Sequence, residues 1–314
     1  MNLQQLSSQV GSIPHPRLYR ICLRISLPRE PHSAPSPPRT LATVPLPAPI
    51  TSRTNARVKA LRAAFSGDAR HPGELVGIEG EHLLAEALRS QLALDTVFLR
   101  EGSEAILTRP SLSALRSANL VVLSRDVFVS VVDTSAPQGI AATVAIPSLP
   151  AHSLPAHSLL QPAVHLVLES LQDPGNLGTL IRSAEAFGIA QVFLTPDCVN
   201  PWNPKTVRAS AGSVFRVPVL RQPFAEIAAS LRSADIPLVA AVAVSAEAHS
   251  SIEATLTAPC ALMIGNEGAG LSAEALARAT SRVHIPCAVE SLNAAIAGSL
   301  LMYESLRQSL IPNP

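Results

Sequence analysis

The chain has 314 residues, a net charge of +1 and a pI near 7.8. That length accommodates two domains of ordinary size, and the near-neutral charge excludes a gross basic excess, although a local patch is enough to meet phosphates. No uninterrupted apolar run of about twenty residues exists, which excludes a membrane-spanning helix of the usual kind, and Cys22, Cys198, Cys260 and Cys287 lack CxxC or Cys/His metal spacing, reading instead as incidental thiols of a reducing, cytoplasmic compartment.

Residues 1–50 hold ten prolines and five arginines against a single acid, Glu30, with no helical or strand periodicity. Such a segment cannot bury enough apolar surface to offset its ordering entropy, so a disordered extension is expected. Its basic bias faintly resembles a transit peptide; a flexible tail is the simpler reading. From 51 to 146 the pattern turns regular. Helices are predicted over 55–65 and 81–90, and strands over 75–78, 96–99, 120–123 and 140–146, with further short helices between them. Strands alternating with helices point to a small layered α/β domain. Residues 147–162 repeat Pro150-Ala151-His152-Ser153-Leu154 at once as Pro155-Ala156-His157-Ser158-Leu159, which reads as an interdomain linker. No carboxylate or Cys accompanies His152 and His157, so no metal is expected there.

From 163 the alternation restarts, with a strand at 165–168, a helix at 177–187 and strands at 191–194, 238–244, 261–264 and 282–285. A last helix is expected over 292–310. Strands this apolar imply a parallel sheet covered on both faces, whose ligands sit beyond the carboxyl ends of the strands.

Three loops there carry chemistry-bearing residues. Asp173-Pro174-Gly175-Asn176 turns the chain after a strand, and Arg182 follows six residues later, able to reach back to the loop or out to a phosphate. Taken alone, Asn176 is a candidate helix N-cap and Arg182 a solvated charge. The second loop packs Gly265, Gly268 and Gly270 around Glu267, and glycines there permit close backbone approach and positive φ. It is neither GxGxxG nor GxxxxGK[ST], so a nicotinamide or nucleoside triphosphate loop is not indicated. The third, Ser291-Leu292-Asn293, opens a helix after Ile285-Pro286. Ser291 suits an N-cap, whereas an Asn just inside an apolar helix is costly and needs another reason.

The order and wording of these loops resemble the three signature motifs of the SpoU (TrmH-like) RNA ribose 2'-O-methyltransferases of the SPOUT superfamily. Before them, Ile50-Thr51-Ser52 with Asn55 and Lys59, Glu79-Gly80 with Leu83, and Pro137-Gln138-Gly139-Ile140 look like the L30e-like substrate-binding domain that precedes such catalytic domains. The resemblance spans roughly residues 51–310. It implies an α/β fold: a parallel sheet with a C-terminal trefoil knot at 163–314, preceded by the L30e-like α/β domain at 51–146. It implies S-adenosylmethionine as cofactor, structured RNA as substrate (ribosomal RNA ahead of transfer RNA) and a homodimer. Asn176, Arg182, Glu267, Ser291 and Asn293 would be catalytic; Gly265, Gly270, Ile285 and Leu292 would line the cofactor pocket. Lys205, Arg208 and Ser210, in a stretch that also resembles the family pattern, would touch RNA, as would Lys59. The family often casts the matching arginine as a base, yet a guanidinium with a pKa above about 12 is a poor proton acceptor. Arg182 is therefore expected to fix ribose or phosphate and stabilise the alkoxide. A catalytically silent RNA-binding assembly factor is the rival reading.

Overall fold

The computed structural model describes residues 46–132, 134, 136–148, 162–245 and 247–311. Most of the expected 1–50 extension and 147–162 linker, with Cys22, His152 and His157, lies outside the described residues. Order begins before residue 51, because Ile50 joins the edge of the first sheet, its N–H donating to the Val122 carbonyl at 2.9 Å.

The first domain contains α1 (Ala56–Ala64), β1 (Leu75–Glu79), α2 (Glu81–Arg89), β2 (Leu94–Arg100), β3 (Leu120–Leu123), α3 (Arg125–Val129) and β4 (Ile140–Ala145). Asn55 caps α1 by accepting from the Arg57 N–H, and α2 buries Leu83, Leu84 and Ala87 on one stripe. The strands form a mixed sheet in the order β1-β4-β2-β3, with only β2 and β3 parallel. Two phrases distant in sequence meet at its end: the Glu79 carboxylate accepts from the Gln138 N–H at 3.2 Å and the Thr134 hydroxyl at 2.7 Å.

The second domain runs β5 (Val164–Leu168), α4 (Pro174–Ala186), β6 (Gln191–Leu194), α5 (Pro204–Ala209), β7 (Val219–Arg221), α6 (Phe224–Ser233) and β8 (Leu238–Ala241). It continues through β9 (His249–Ser250), β10 (Cys260–Ile264), α7 (Ala273–Arg278), β11 (Ser281–His284) and α8 (Ala294–Leu310). Its seven strands are ordered β7-β6-β5-β10-β8-β11-β9, every neighbouring pair parallel. Both faces are covered, as the apolar strands require. Leu166, Leu168, Leu262 and Ile264 belong to the cluster of Leu177, Leu180 and Ile181 on α4 and of Leu301 and Met302 on α8. Val167, Ala261 and Met263 belong to that of Phe224, Ile227 and Leu231 on α6. Each such fully buried side chain contributes roughly 1.5–3 kcal/mol.

The expected strand over 238–244 stops at Ala241, where the chain bends. α5, β7 and α6 occupy a stretch for which no element was predicted. The first hydrophobic cluster also takes in Leu83, Leu84 and Val144 of the smaller domain, so the two domains share a continuous core.

Candidate active site

Three loops leave the carboxyl ends of β5, β10 and β11. After β10 the chain folds back on itself: Asn266 and Gly270 exchange backbone hydrogen bonds at 3.0 Å each way. The Asn266 side chain latches the bend, its carbonyl accepting from the N–H groups of Gly268 (2.9 Å) and Ala269 (3.0 Å), its amide donating to the Ser170 carbonyl at 2.8 Å. A Cβ on Gly265 would lie 2.2 Å from the Gly270 carbonyl carbon and 2.3 Å from the Leu271 nitrogen. The close approach expected of this glycine is therefore to its own loop, while Gly270 supplies the positive φ, at 72°. Buried Glu169 anchors the exit from the loop, accepting from the Ser272 N–H (2.8 Å) and hydroxyl (2.7 Å).

Side chains then tie the loops together. The Glu267 carboxylate accepts from the Asn176 amide at 3.0 Å, from the Asp173 N–H at 3.2 Å and from the Gln172 N–H at 3.3 Å. The Asn176 carbonyl oxygen accepts in turn from the Asn293 amide, also at 3.0 Å. Asn293 keeps its own carbonyl for the N–H groups of Ala295 (2.9 Å) and Ile296 (3.2 Å). One anion thus orients two amides in series, and each loop contributes one residue. Partial burial pushes the Glu267 carboxyl up, but the hydrogen bonds from Asn176 and from neighbouring N–H groups outweigh it and hold the group below the usual carboxylate range.

These contacts revise two capping assignments. Asp173 caps α4, with Pro174 in its first turn, by accepting from the Asn176 N–H at 2.7 Å, so Asn176 sits in the first turn with its side chain free for the cluster. Asn293, not Ser291, caps α8. Both departures have one cause: the side chain that caps is fixed by where the chain enters the helix, and Asp, Asn and Ser all suit that role.

Beside the cluster lies a cavity of about 480 Å³, lined by 241–244, by the whole bend from Ile264 to Leu271, and by Ile285, Glu290, Ser291 and Leu292 among others. The residues expected to hold a cofactor, Gly265, Gly270, Ile285 and Leu292, all face it, as do Glu267 and Ser291. The volume lies within the range of small-molecule clefts, and a wall of backbone and apolar side chains is their usual make-up.

Arg182 stands apart: exposed on α4, and among the described residues without a hydrogen bond or ion pair. Its neighbour Ser183 meets Ser299 of α8, hydroxyl to hydroxyl, at 2.7 Å, so the helix carrying Arg182 is fixed against the helix that Asn293 begins. Lys205 is exposed on α5, and Arg208 is half-buried and engaged within the protein. Lys59 is exposed on α1, in the other domain. Ser210 departs from expectation. It is fully buried and its hydroxyl donates to the Val207 carbonyl at 2.9 Å, which withdraws it from any RNA. Sequence reasoning missed Asp173, Glu169 and Asn266 as builders of the site. Asn266 had a visible signal, an Asx-turn residue two positions ahead of a glycine. Among the described residues, no group of three or more His, Cys, Asp or Glu is placed to hold a metal ion, and no helix is long and apolar enough to cross a membrane.

Comparison with known proteins agrees with this arrangement. Residues 163–303 match the model of the SpoU rRNA methylase family, and residues 55–142 match an MRM3-like substrate-binding domain. The chain is 35% identical over 272 residues to an uncharacterised tRNA/rRNA methyltransferase of Synechocystis, covering 83% of this chain and 94% of that one. It is 30% identical to the 23S rRNA (guanosine(2553)-2'-O)-methyltransferase RlmP of Bacillus subtilis, covering 81% and 97%. Among solved structures, an AdoMet-bound rRNA methyltransferase from Sinorhizobium meliloti superposes with a TM-score of 0.69 at 26% identity, covering 85% and 99%. A sheet of this topology, three loops joined through Asn176, Glu267 and Asn293, and full-length relatives on that pattern lead to one assignment: the chain belongs to the SpoU rRNA methylase family.

Proposed function

We propose that this chain transfers a methyl group from S-adenosylmethionine to a ribose 2'-hydroxyl of ribosomal RNA. One observation carries the reading: the Glu267–Asn176–Asn293 chain stands at the edge of a cavity walled by Gly265, Gly270, Ile285 and Leu292. The cavity fits the cofactor, because apolar Ile285 and Leu292 suit a nucleobase face and the backbone of the bend offers donors and acceptors to its edge. Bound there, S-adenosylmethionine supplies an electrophilic sulfonium methyl.

The protein's part is orientation and charge. Glu267, kept ionised, fixes Asn176, which fixes Asn293, so the polar groups facing an incoming ribose are set before it arrives. Arg182 extends a guanidinium with no internal partner, suited to a phosphate or to the oxygen's developing charge. Ser291, at the cavity wall, completes the set of polar groups.

The smaller domain, residues 51–146 with an L30e-like fold, would read RNA by shape and 2'-hydroxyls, aided by Lys59 on its surface and by Lys205 and Arg208 across the junction, with 147–162 as linker. A trefoil knot is favoured by the path of the chain after β11: the third loop returns across the carboxyl ends of β8 and β10, and α8 settles against α4. A homodimer is favoured by Ile296, Leu300 and Tyr303, exposed at 53%, 43% and 52% on one stripe of α8.

Labelled methyl transfer to ribosomal and transfer RNA, with wild type and Arg182→Ala, tests the reading. Label should enter the ribose of ribosomal RNA and fall about 100-fold in the variant. Label confined to transfer RNA would redirect the substrate. No label from a folded protein that binds the cofactor would leave the silent assembly factor.

A further inference from the structure

The structure carries an ion-pair bridge between the domains that the chemistry of the active site does not use. Arg216 lies just beyond α5, before β7. Its guanidinium forks around Glu185 of α4, with Nε on one carboxylate oxygen and Nη2 on the other at 2.9 Å. The remaining nitrogen, Nη1, crosses to the smaller domain, reaching Glu86 at 2.9 Å and the Ser90 hydroxyl at 2.9 Å, both at the end of α2. Arg89 also pairs with Glu86. The three principal side chains are only 25% (Arg216), 23% (Glu185) and 12% (Glu86) exposed, so water screens them little. A fork of this kind fixes direction as well as distance. Glu185 stands three residues beyond Arg182, on the helix that also holds Asn176.

Nearby contacts make the junction close-fitting. The Asn200 amide donates to the carbonyls of Gly67 (3.1 Å) and Ala69 (2.7 Å) of the smaller domain. Gly212 has φ of 85°, and a Cβ there would lie 2.8 Å from Cβ of Glu86. Trp202 stacks on Phe215, ring centroids 6.1 Å apart. Arg216 is the member of this junction whose side chain bonds the catalytic helix and the smaller domain at once.

We propose that Arg216 is a positioning residue for methyl transfer, holding α2 of the RNA-reading domain at a fixed bearing to α4 so that a bound RNA presents its target ribose to the Asn176–Glu267–Asn293 cluster. The inference rests on the reading that the smaller domain grips RNA. A misplacement of about 1 Å at a reacting centre costs on the order of 100-fold in rate, so a junction far from the chemistry can set kcat. Lysine would not substitute, because a single ammonium cannot fork around Glu185 and also reach Glu86.

The test uses the full chain and ribosomal RNA purified from cells lacking the gene. Arg216→Lys breaks both arms. Glu86→Gln with Ser90→Ala cuts the crossing arm from the other side, leaving the Arg216–Glu185 fork intact should Arg216→Lys fold poorly. Expected in both is a fall in kcat at saturating RNA of about tenfold or more, with affinities for S-adenosylmethionine and for the RNA, measured by calorimetry and filter binding, within about threefold of wild type. An unchanged kcat in the double variant, or a loss of cofactor affinity in step with kcat, overturns the inference. A wild type that methylates no RNA sinks the activity reading as well, whereas an active wild type equalled by its variants sinks this inference alone.

Discussion

The cavity and the polar cluster beside it share the same three loops yet are built from different materials. The cavity is walled by backbone, by glycines and by apolar side chains that present shape. The cluster consists of three side chains, Asn176, Glu267 and Asn293, each holding the next. The difference predicts opposite sensitivities. A backbone wall tolerates changes of side chain except where a Cβ has no room, whereas the cluster responds to the loss of a single amide.

The largest effect is expected where the wall has no room. In Gly265→Ala the new Cβ would meet Gly270 and Leu271 backbone at 2.2–2.4 Å, so the bend must open. Calorimetry should find S-adenosylmethionine affinity reduced about 1,000-fold, or about 4 kcal/mol; retained affinity would show that the wall yields.

A second expectation contrasts satisfied with unsatisfied polar groups. The cluster's amides and carboxylate are partnered, whereas His165 on β5 is fully buried with both ring nitrogens unpartnered. Burial pushes its pKa down from 6.5 to about 4. The folded value lies below the unfolded one, so the unfolded chain takes up the proton first. Stability is therefore intact above about pH 6.5 and lost as pH falls towards 4, by about 3 kcal/mol at 1.36 kcal/mol per tenfold change in proton affinity. Urea titrations across that window should show the slope, and His165→Phe should flatten it. Glu267 runs the other way in sign of charge, its lowered folded value giving a contribution present above pH 4.5 and lost only below it. Its exposure keeps that contribution small.

Asn293→Ala tests the cluster itself. It removes the bond to Asn176 and both cap bonds of α8, at about 1 kcal/mol of stability for the cap. A fall in kcat of about 100-fold is expected from the misplaced partner, with cofactor affinity nearly unchanged. The smallest effect belongs to the wall: Leu292→Met conserves volume and should cost under about 1.5 kcal/mol in cofactor binding. If Leu292→Met proved the more damaging of the two, the contrast between wall and cluster would be reversed.

The strands were legible because an apolar run between turn residues is dictated by burial on both faces, and nearly every predicted strand lies within a few residues of its place. The loops were legible because Gly265 and Glu267 stand where other residue types fail. What escaped was set by distance. β7 is three half-buried residues with no periodicity to read. Ser210 is polar by composition, and only its packing under α4 withdraws it from solvent. The choice among Asp173, Asn176, Ser291 and Asn293 as caps depended on the path of the incoming chain. The Arg216 bridge joins residues from Glu86 to Arg216, a pairing that no local pattern announces.

One small contact fixes how far the catalytic helix can ever drift. Gly178, within α4, faces α5 so closely that a Cβ would lie 2.6 Å from the Thr206 carbonyl oxygen and 2.8 Å from the Ser210 nitrogen. Those atoms are backbone and cannot swing aside. A single added methyl would act as a shim, levering Asn176 off Glu267 and leaving the reagents bound but out of line.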